Sequence, residues 1–471
     1  MSGPTRGSGP RSTERPATFG DVFAAREYRF LFVADVFSWI GDFLAKAAVA
    51  ALVFHATESV ALSAVSFAIS YLPWLAGGPV LAAMAERRSY RPVMVACDLL
   101  RMVLIALVAL PGMPIWVMLA LLFGTSMLNP PFQAARSALL PQVLTGDRYV
   151  VGMSLTKSVA QLTQVVGFAG GAALAAVDAR LALLIDAATF GLSALLIRVG
   201  VANHLPIGVP ARREHVLRET ADGFRLIFRS EVMRAIGLVV VATVLFGIVP
   251  EGLAAAWAGR LAETRAEAGW MQAAIMVASP IGFIVGGIVI GRFVRPAARR
   301  RLIPAFAVLT PLALVPALLN PYVFVIAAMA AVSGFALAGM FPAANGLFVQ
   351  VLRAGYRARA FGVMQSGVQL AQGFAIIVTG VLADRFALPT VVGVWSVAGV
   401  LLVGAMTARW PSHSTIDAAI DAATEANEAA AATTVAAPVN GAATGELAPS
   451  PPRRHPTIEP AADRAGAHSS A

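Results

Sequence analysis

Between residues 30 and 408 the chain reads as a succession of apolar runs, separated by short stretches rich in Arg, Pro and Gly. At 1.5 Å rise per residue, about 20 helical residues cross the ~30 Å hydrocarbon core of a bilayer. Cutting the runs at charged and Pro/Gly punctuation gives twelve spans: 30–54, 60–84, 92–110, 114–134, 150–176, 179–198, 234–257, 269–291, 301–319, 322–345, 359–383 and 388–408. They lack period-two alternation and are about twice the length of a barrel strand, which excludes a transmembrane β-barrel. The pattern predicts an all-α membrane protein of twelve transmembrane helices.

The connections divide the chain. The longest, 199–233, separates a bundle of six spans over 30–198 from a second over 234–408. Within it, Arg213 to Phe228 mixes charge with Val216, Leu217, Phe224, Leu226 and Ile227, as an interfacial surface helix does. Residues 1–29 carry Arg6, Arg11, Arg15, Arg26 and Arg29 without an apolar core, so they read as a cytoplasmic extension and not a signal peptide. Residues 409–471 are rich in Ala, Thr, Pro and Ser and poor in bulky apolar side chains, which predicts a disordered cytoplasmic tail.

Charge then orients the bundle. Twenty arginines fall in the connections on one side, from Arg87, Arg88 and Arg91 through Arg353, Arg357 and Arg359. Four fall opposite: Arg180, Arg260, Arg265 and Arg385. Basic residues mark the cytoplasmic side, so both termini are expected there, in a multi-pass protein of the inner (cytoplasmic) membrane. The net charge of +10 does not imply nucleic acid, because the arginines sit at the ends of apolar segments and form no single basic face. Composition agrees, with 58% hydrophobic and 13% charged residues, against about 25% charged in a soluble domain. Cys97 is the single cysteine, and Lys46 and Lys157 are the two lysines.

No enzyme signature competes. There is no phosphate-binding Gly-x-x-x-x-Gly-Lys-Ser/Thr loop, which leaves ATP-driven transport unsupported. The six histidines have no metal-ligand spacing, and none is clearly inside a span, as the Ser–His pair of an intramembrane hydrolase would need. No cofactor or metal is expected.

The two bundles repeat. A shift of 208 residues superposes Gln142-Val143-Leu144 on Gln350-Val351-Leu352, and Ser158, Gln161, Leu162 and Gln164 on Ser366, Gln369, Leu370 and Gln372. A shift of 209 puts Gly77-Gly78 on Gly286-Gly287 and Arg91 on Arg300. Two parallel six-helix repeats resemble the halves of major facilitator transporters.

Further residues carry that resemblance. The loop after span 2, Gly78 through Glu86-Arg87-Arg88 to Arg91, is similar to the family's signature there, with Glu86 where Asp is usual. The second copy, Gly286 to Arg301, keeps the glycines and arginines and lacks the acid. Ser38-Trp39-Ile40-Gly41-Asp42, Asp98-Leu99-Leu100-Arg101, Ala134 to Pro141 and Asp186-Ala187-Ala188-Thr189-Phe190 resemble twelve-span drug:proton antiporters related to macrolide-efflux and enterobactin-export proteins. The resemblance covers about 26–408. It implies a monomer in the lipid bilayer that uses a proton gradient to export a small-molecule substrate. It also implies that Gly78, Glu86, Arg87, Arg91, Asp98, Arg101 and Arg136 hold a cytoplasmic gate shut, where the plain alternative is a solvated charge run. Span 5 departs from the antiporter pattern. Gly167-Phe168-Ala169-Gly170-Gly171 has the spaced glycines but no proline, which fits close helix packing and leaves import as an alternative direction.

Ionisable residues within a span cost at least about 2.5 kcal/mol each and need a reason. Asp35, Asp42 and Lys46 step by seven and four, so they share one face of span 1. Asp42 lies about 18 Å along the helix from Phe30, near the midplane. It reads as a proton or cation site, or as one half of a self-neutralising pair with Lys46; Asp35 reads as structural or gating. Lys157, Gln161 and Gln164 form a polar stripe on span 5, matched by Gln365, Gln369 and Gln372 on span 11. These stripes either bond helix to helix or line the cavity. Asp186 is a packed carboxyl or a second coupling group, and Glu251 belongs to the rim or the cavity. The expected function is proton-coupled efflux of a hydrophobic or amphipathic molecule, with a non-transporting sensor or lipid-handling protein as the other reading.

Overall fold

The computed structural model describes residues 17–73, 89–205, 224–225, 227–352 and 357–436. Gly77, Gly78, Glu86, Arg87, most of the expected surface helix over 213–228 and the tail beyond 436 lie outside the described residues. Among the described residues no strand occurs, and helix is found in each of the twelve spans.

Among the described residues, eight helices are long and apolar enough to cross a membrane. One, Asp147–Gly200, holds spans 5 and 6, because its backbone breaks at Asp178 (φ −155°, ψ 105°). Span 1 is Arg26–Thr57, span 8 Arg265–Phe293, span 10 Val323–Val351, span 11 Arg357–Arg385 and span 12 Leu388–Ala408. Spans 4 and 7 are each two helices in line. Ile115–Met127 gives way to Asn129–Val143 at Pro130-Pro131, and Glu231–Gly247 to Val249–Leu261 at Pro250. Proline removes a backbone donor and clashes with the preceding turn, so it starts a helix segment better than it continues one. Span 3, Tyr90–Val108, carries Arg91, Asp98 and Arg101. Span 2 begins at Val60, and span 9 starts at Ile303 and tightens into a 3₁₀ turn at Val315–Leu319. Ser59 caps span 2 by accepting from the Leu62 amide.

Two terminal segments are more ordered than composition alone suggests. Phe19–Ala24 forms a short helix with a Thr18–Asp21 capping box, and Val22 is buried against Tyr28, Leu140 and Leu144. The disordered tail expected from residue 409 is instead helical over His413–Ala436. Alanine has the highest helix propensity, and Ile416, Ala419, Ile420 and Ala423 repeat at helical spacing. Ile416 is buried in the core of the second half, with Ala419 and Ile420 packed on the same core.

The halves join at one end. Phe54, Val60, Ala64 and Phe67 of the first half share a core with Trp257, Ile275, Ile376 and Ala383 of the second. All of these lie toward the arginine-poor side. Toward the arginine-rich side each half keeps its own core, around Leu31, Met94 and Leu139 in the first and around Ile236, Met340 and Phe348 in the second. Glycine permits the closest helix contacts. A side chain at Gly171 would meet the Leu44 backbone, so the span 5 glycines pack that helix onto span 1.

Candidate functional site

A cavity of about 70 Å³ lies inside the first half, walled by spans 1, 2, 3, 4 and 6. It is large enough for a few waters but not for a drug-sized molecule. Asp42, Lys46, Arg101 and Asp186 line it, with Ser66 and Asn129 among the neutral polar groups.

Each charged group is set by its helix. Asp42 and Lys46 are one turn apart on span 1, yet no ion pair joins them among the described residues. The Lys46 ammonium sits 5.1 Å from the Phe43 ring centre and 5.7 Å from that of Tyr71, where the ring faces attract a cation. Asp42, Asp186 and Arg101 share the cavity wall with Lys46, and the charge of Glu251 also acts on it. Asp186 is 1% exposed. Its carboxylate lies against the Gly41 backbone, where any side chain would collide with it and with the Thr189 hydroxyl. Gly41 therefore lets the span 6 carboxylate reach the turn that carries Asp42.

The sequence groups Arg101 with the cytoplasmic gate, and the structure puts it on the cavity. Its guanidinium stacks between Phe132 (5.5 Å) and Phe190 (5.3 Å). Asp98 is fully buried, accepts from the Ser193 hydroxyl at 2.7 Å, and lies 3.9 Å from Arg101. The Asp98 oxygen nearer Arg101 and Arg101 Nε make no hydrogen bond among the described residues.

The remaining gate residues separate from this cluster. Arg136 Nε donates to Asp35 at 2.6 Å, a buried pair joining spans 4 and 1 beside Trp39. Asp35 is thus tied to Arg136 and is not on the cavity wall. Arg91 donates to the Val201 carbonyl at 3.2 Å and fastens span 3 to the end of span 6. Gly78, Glu86 and Arg87 lie outside the described residues.

The glutamine stripes meet the seam between the halves. Gln164 Nε2 lies 3.5 Å from the carboxylate of Glu251, a residue only 6% exposed. Gln161, Gln369 and Gln372 are half-buried, and Lys157 and Gln365 are exposed. Two seam residues escaped the sequence reading. Gln272 donates across the seam to the Ala47 carbonyl at 2.8 Å. Asp384, at the end of span 11, accepts from the Val60 amide at 2.7 Å and the Ser59 hydroxyl at 2.8 Å. The only local hint of Asp384's role was a helix start at Ser59, more than three hundred residues away.

Comparison with known proteins agrees with this architecture. The description "Major Facilitator Superfamily" matches residues 245–451. No curated protein matches the chain in sequence. Among solved structures, a bacterial homolog of the human lysosomal transporter Spinster, inward-facing and unoccupied, is similar with a TM-score of 0.63 at 12% identity, over 85% of this chain and 98% of that one. A point mutant of the nucleoside transporter NupG gives 0.63 at 14%, over 81% and 100%. A bacterial homologue of the iron transporter ferroportin, inward-facing, gives 0.60 at 14%, over 82% and 98%. At these identities the likeness is one of fold. The chain is a multi-pass membrane protein with the major facilitator fold, and its second half carries that family's sequence pattern.

Proposed function

We propose that the chain is a secondary active transporter that exports a small hydrophobic or amphipathic molecule in exchange for protons. The observation that carries this reading is the charged cavity inside the first half, set beside a seam that closes the arginine-poor side. If the arginine-rich side is cytoplasmic, the structure is inward-facing.

The chemistry follows from counting charges. Asp42 and Asp186 share with Lys46 and Arg101 a space with room for a few waters, and Asp98 lies buried beside Arg101. A net charge there is costly, so the group of five favours holding one proton, which makes it neutral. Asp42 and Asp186 are the carboxylates on the cavity wall and therefore the ones that exchange it. With the proton bound, Lys46 is free to turn toward Glu251, which bonds Gln164 across the seam. That contact favours closure of the arginine-poor side. Release of the proton to the arginine-rich side draws Lys46 back to the carboxylates and loosens the seam. Substrate entering the gap between the halves then accompanies the return.

The test is accumulation of a chemically diverse compound panel in cells with and without expression. Export predicts lower accumulation of some compounds, lost when the proton gradient is collapsed. No change for any compound, with the protein in the membrane, would favour a sensor or lipid-handling role.

A further inference from the structure

The two polar stripes differ in one charge, and that difference bears on the substrate. Resting on the transporter reading, we infer that the gap between the halves takes an amphipathic organic anion, whose acid group pairs with Lys157.

Lys157 faces the gap and not lipid. Gln164, seven residues on and so on the same helical face, reaches Glu251 of the other half. Beyond Lys157 the exposed large apolar residues of span 5 are Leu162 and Val166, which at 100° per residue lie about 140° and 180° around the helix from it, while Val150, exposed at the start of the span, shares its face. Span 11 repeats the arrangement. Gln365 is exposed, and Phe374, exposed on the same helix, lies about 180° away from it. Gly373, next to Phe374 and on the side of Gln369, packs against Tyr71 of the first half. Lys157 and Gln365 are also related by the 208-residue repeat. They face each other's half where the halves part toward the arginine-rich side.

Lys157 lies ten residues into its helix, about 15 Å from the end. Other cations at such depth are balanced: Arg101 pairs with Asp98, Arg136 pairs with Asp35, and Lys46 shares its cavity with Asp42 and Asp186. No carboxylate lies within 4 Å of Lys157 among the described residues, and neither stripe contains an acid. The protons are held in a separate cavity, so its carboxylates are not offered to a cation in the gap. An anion entering the gap meets an unbalanced ammonium flanked by amides. A sulfonate or carboxylate on an apolar body has the matching chemistry.

The probe pair is 8-anilinonaphthalene-1-sulfonate and N-phenyl-1-naphthylamine, which share a ring system and differ by the sulfonate. Equilibrium binding to the full chain in nanodiscs, corrected with empty discs, should favour the sulfonate. Lys157→Gln should weaken sulfonate binding about tenfold, as loss of a charge-assisted hydrogen bond does. Lys157→Arg should retain it to within about threefold, and the neutral probe should be unaffected by either change. Equal affinity for both probes, no saturable sulfonate binding, or an unchanged Lys157→Gln variant would overturn the inference. The last result is what a lysine merely reaching for the membrane surface predicts. Binding requires no proton gradient, so this outcome is read separately from proton-coupled export.

Discussion

Asp384→Ala should open the arginine-poor side. Asp384 places one carboxylate oxygen on the Val60 amide and the other on the Ser59 hydroxyl, so its charge sits at the start of span 2 from the opposite half. Hydrogen bonds to a charged group contribute about 1.5–3 kcal/mol, and a helix N-terminus adds about 0.3–1 kcal/mol. Asp384 is exposed, which argues for the low end, about 2 kcal/mol in all. These bonds exist only while the two ends are together, so their loss shifts the closed-to-open ratio by about thirtyfold. Span 2 keeps its own cap, because the Ser59 hydroxyl still accepts from Leu62. Spin labels at residues 111 and 319, in a Cys97→Ser background, would report the distance between the arginine-poor loops of the two halves. A growing long-distance population in Asp384→Ala, and a smaller one in Ser59→Ala, is expected. Unchanged distances in a folded Asp384→Ala protein would refute the latch.

Three further outcomes follow from buried contacts. Asp35→Asn leaves the Arg136 guanidinium buried without its partner and should cost about 3–5 kcal/mol, with much of the loss recovered in Asp35→Asn/Arg136→Gln, as thermal unfolding in detergent would report. Gly41→Ala drives a methyl group into Asp186 and Thr189 and should cost about 1–3 kcal/mol; truncating both in Gly41→Ala/Asp186→Ala/Thr189→Ala should restore part of the folded yield. Deleting 413–471 uncovers the seat of Ile416 and should lower stability by about 1.5–3 kcal/mol, measured in the same unfolding assay.

The spans were legible because each must be apolar over a bilayer's thickness, whereas the breaks at Pro130 and Pro250 within spans 4 and 7 went unread. The glutamine stripes were legible because helical spacing and the 208-residue repeat both fall on them. Side-chain partners were not. Spacing permits an Asp42–Lys46 pair, but the aromatic faces of Phe43 and Tyr71 compete for the ammonium. Arg101 follows a basic loop in sequence, yet eleven residues of helix from Tyr90 carry it about 16 Å inward. Asp384 and Glu251 take their roles from residues of the other half, which no local pattern encodes. The tail helix went unread because composition reports average polarity, while a single stripe around Ile416 is enough to seat a helix.

The central claim is that Asp42 and Asp186 carry the proton exchanged for substrate. Proteoliposomes holding either the unaltered chain or Asp42→Asn measure this most directly, with uphill substrate flux under an imposed pH gradient compared with gradient-free exchange. Asp42→Asn keeps the side chain's size while removing its titration. The account predicts that Asp42→Asn abolishes gradient-driven accumulation and retains exchange of substrate across the membrane. Gradient-driven accumulation by Asp42→Asn at the unaltered rate would contradict it.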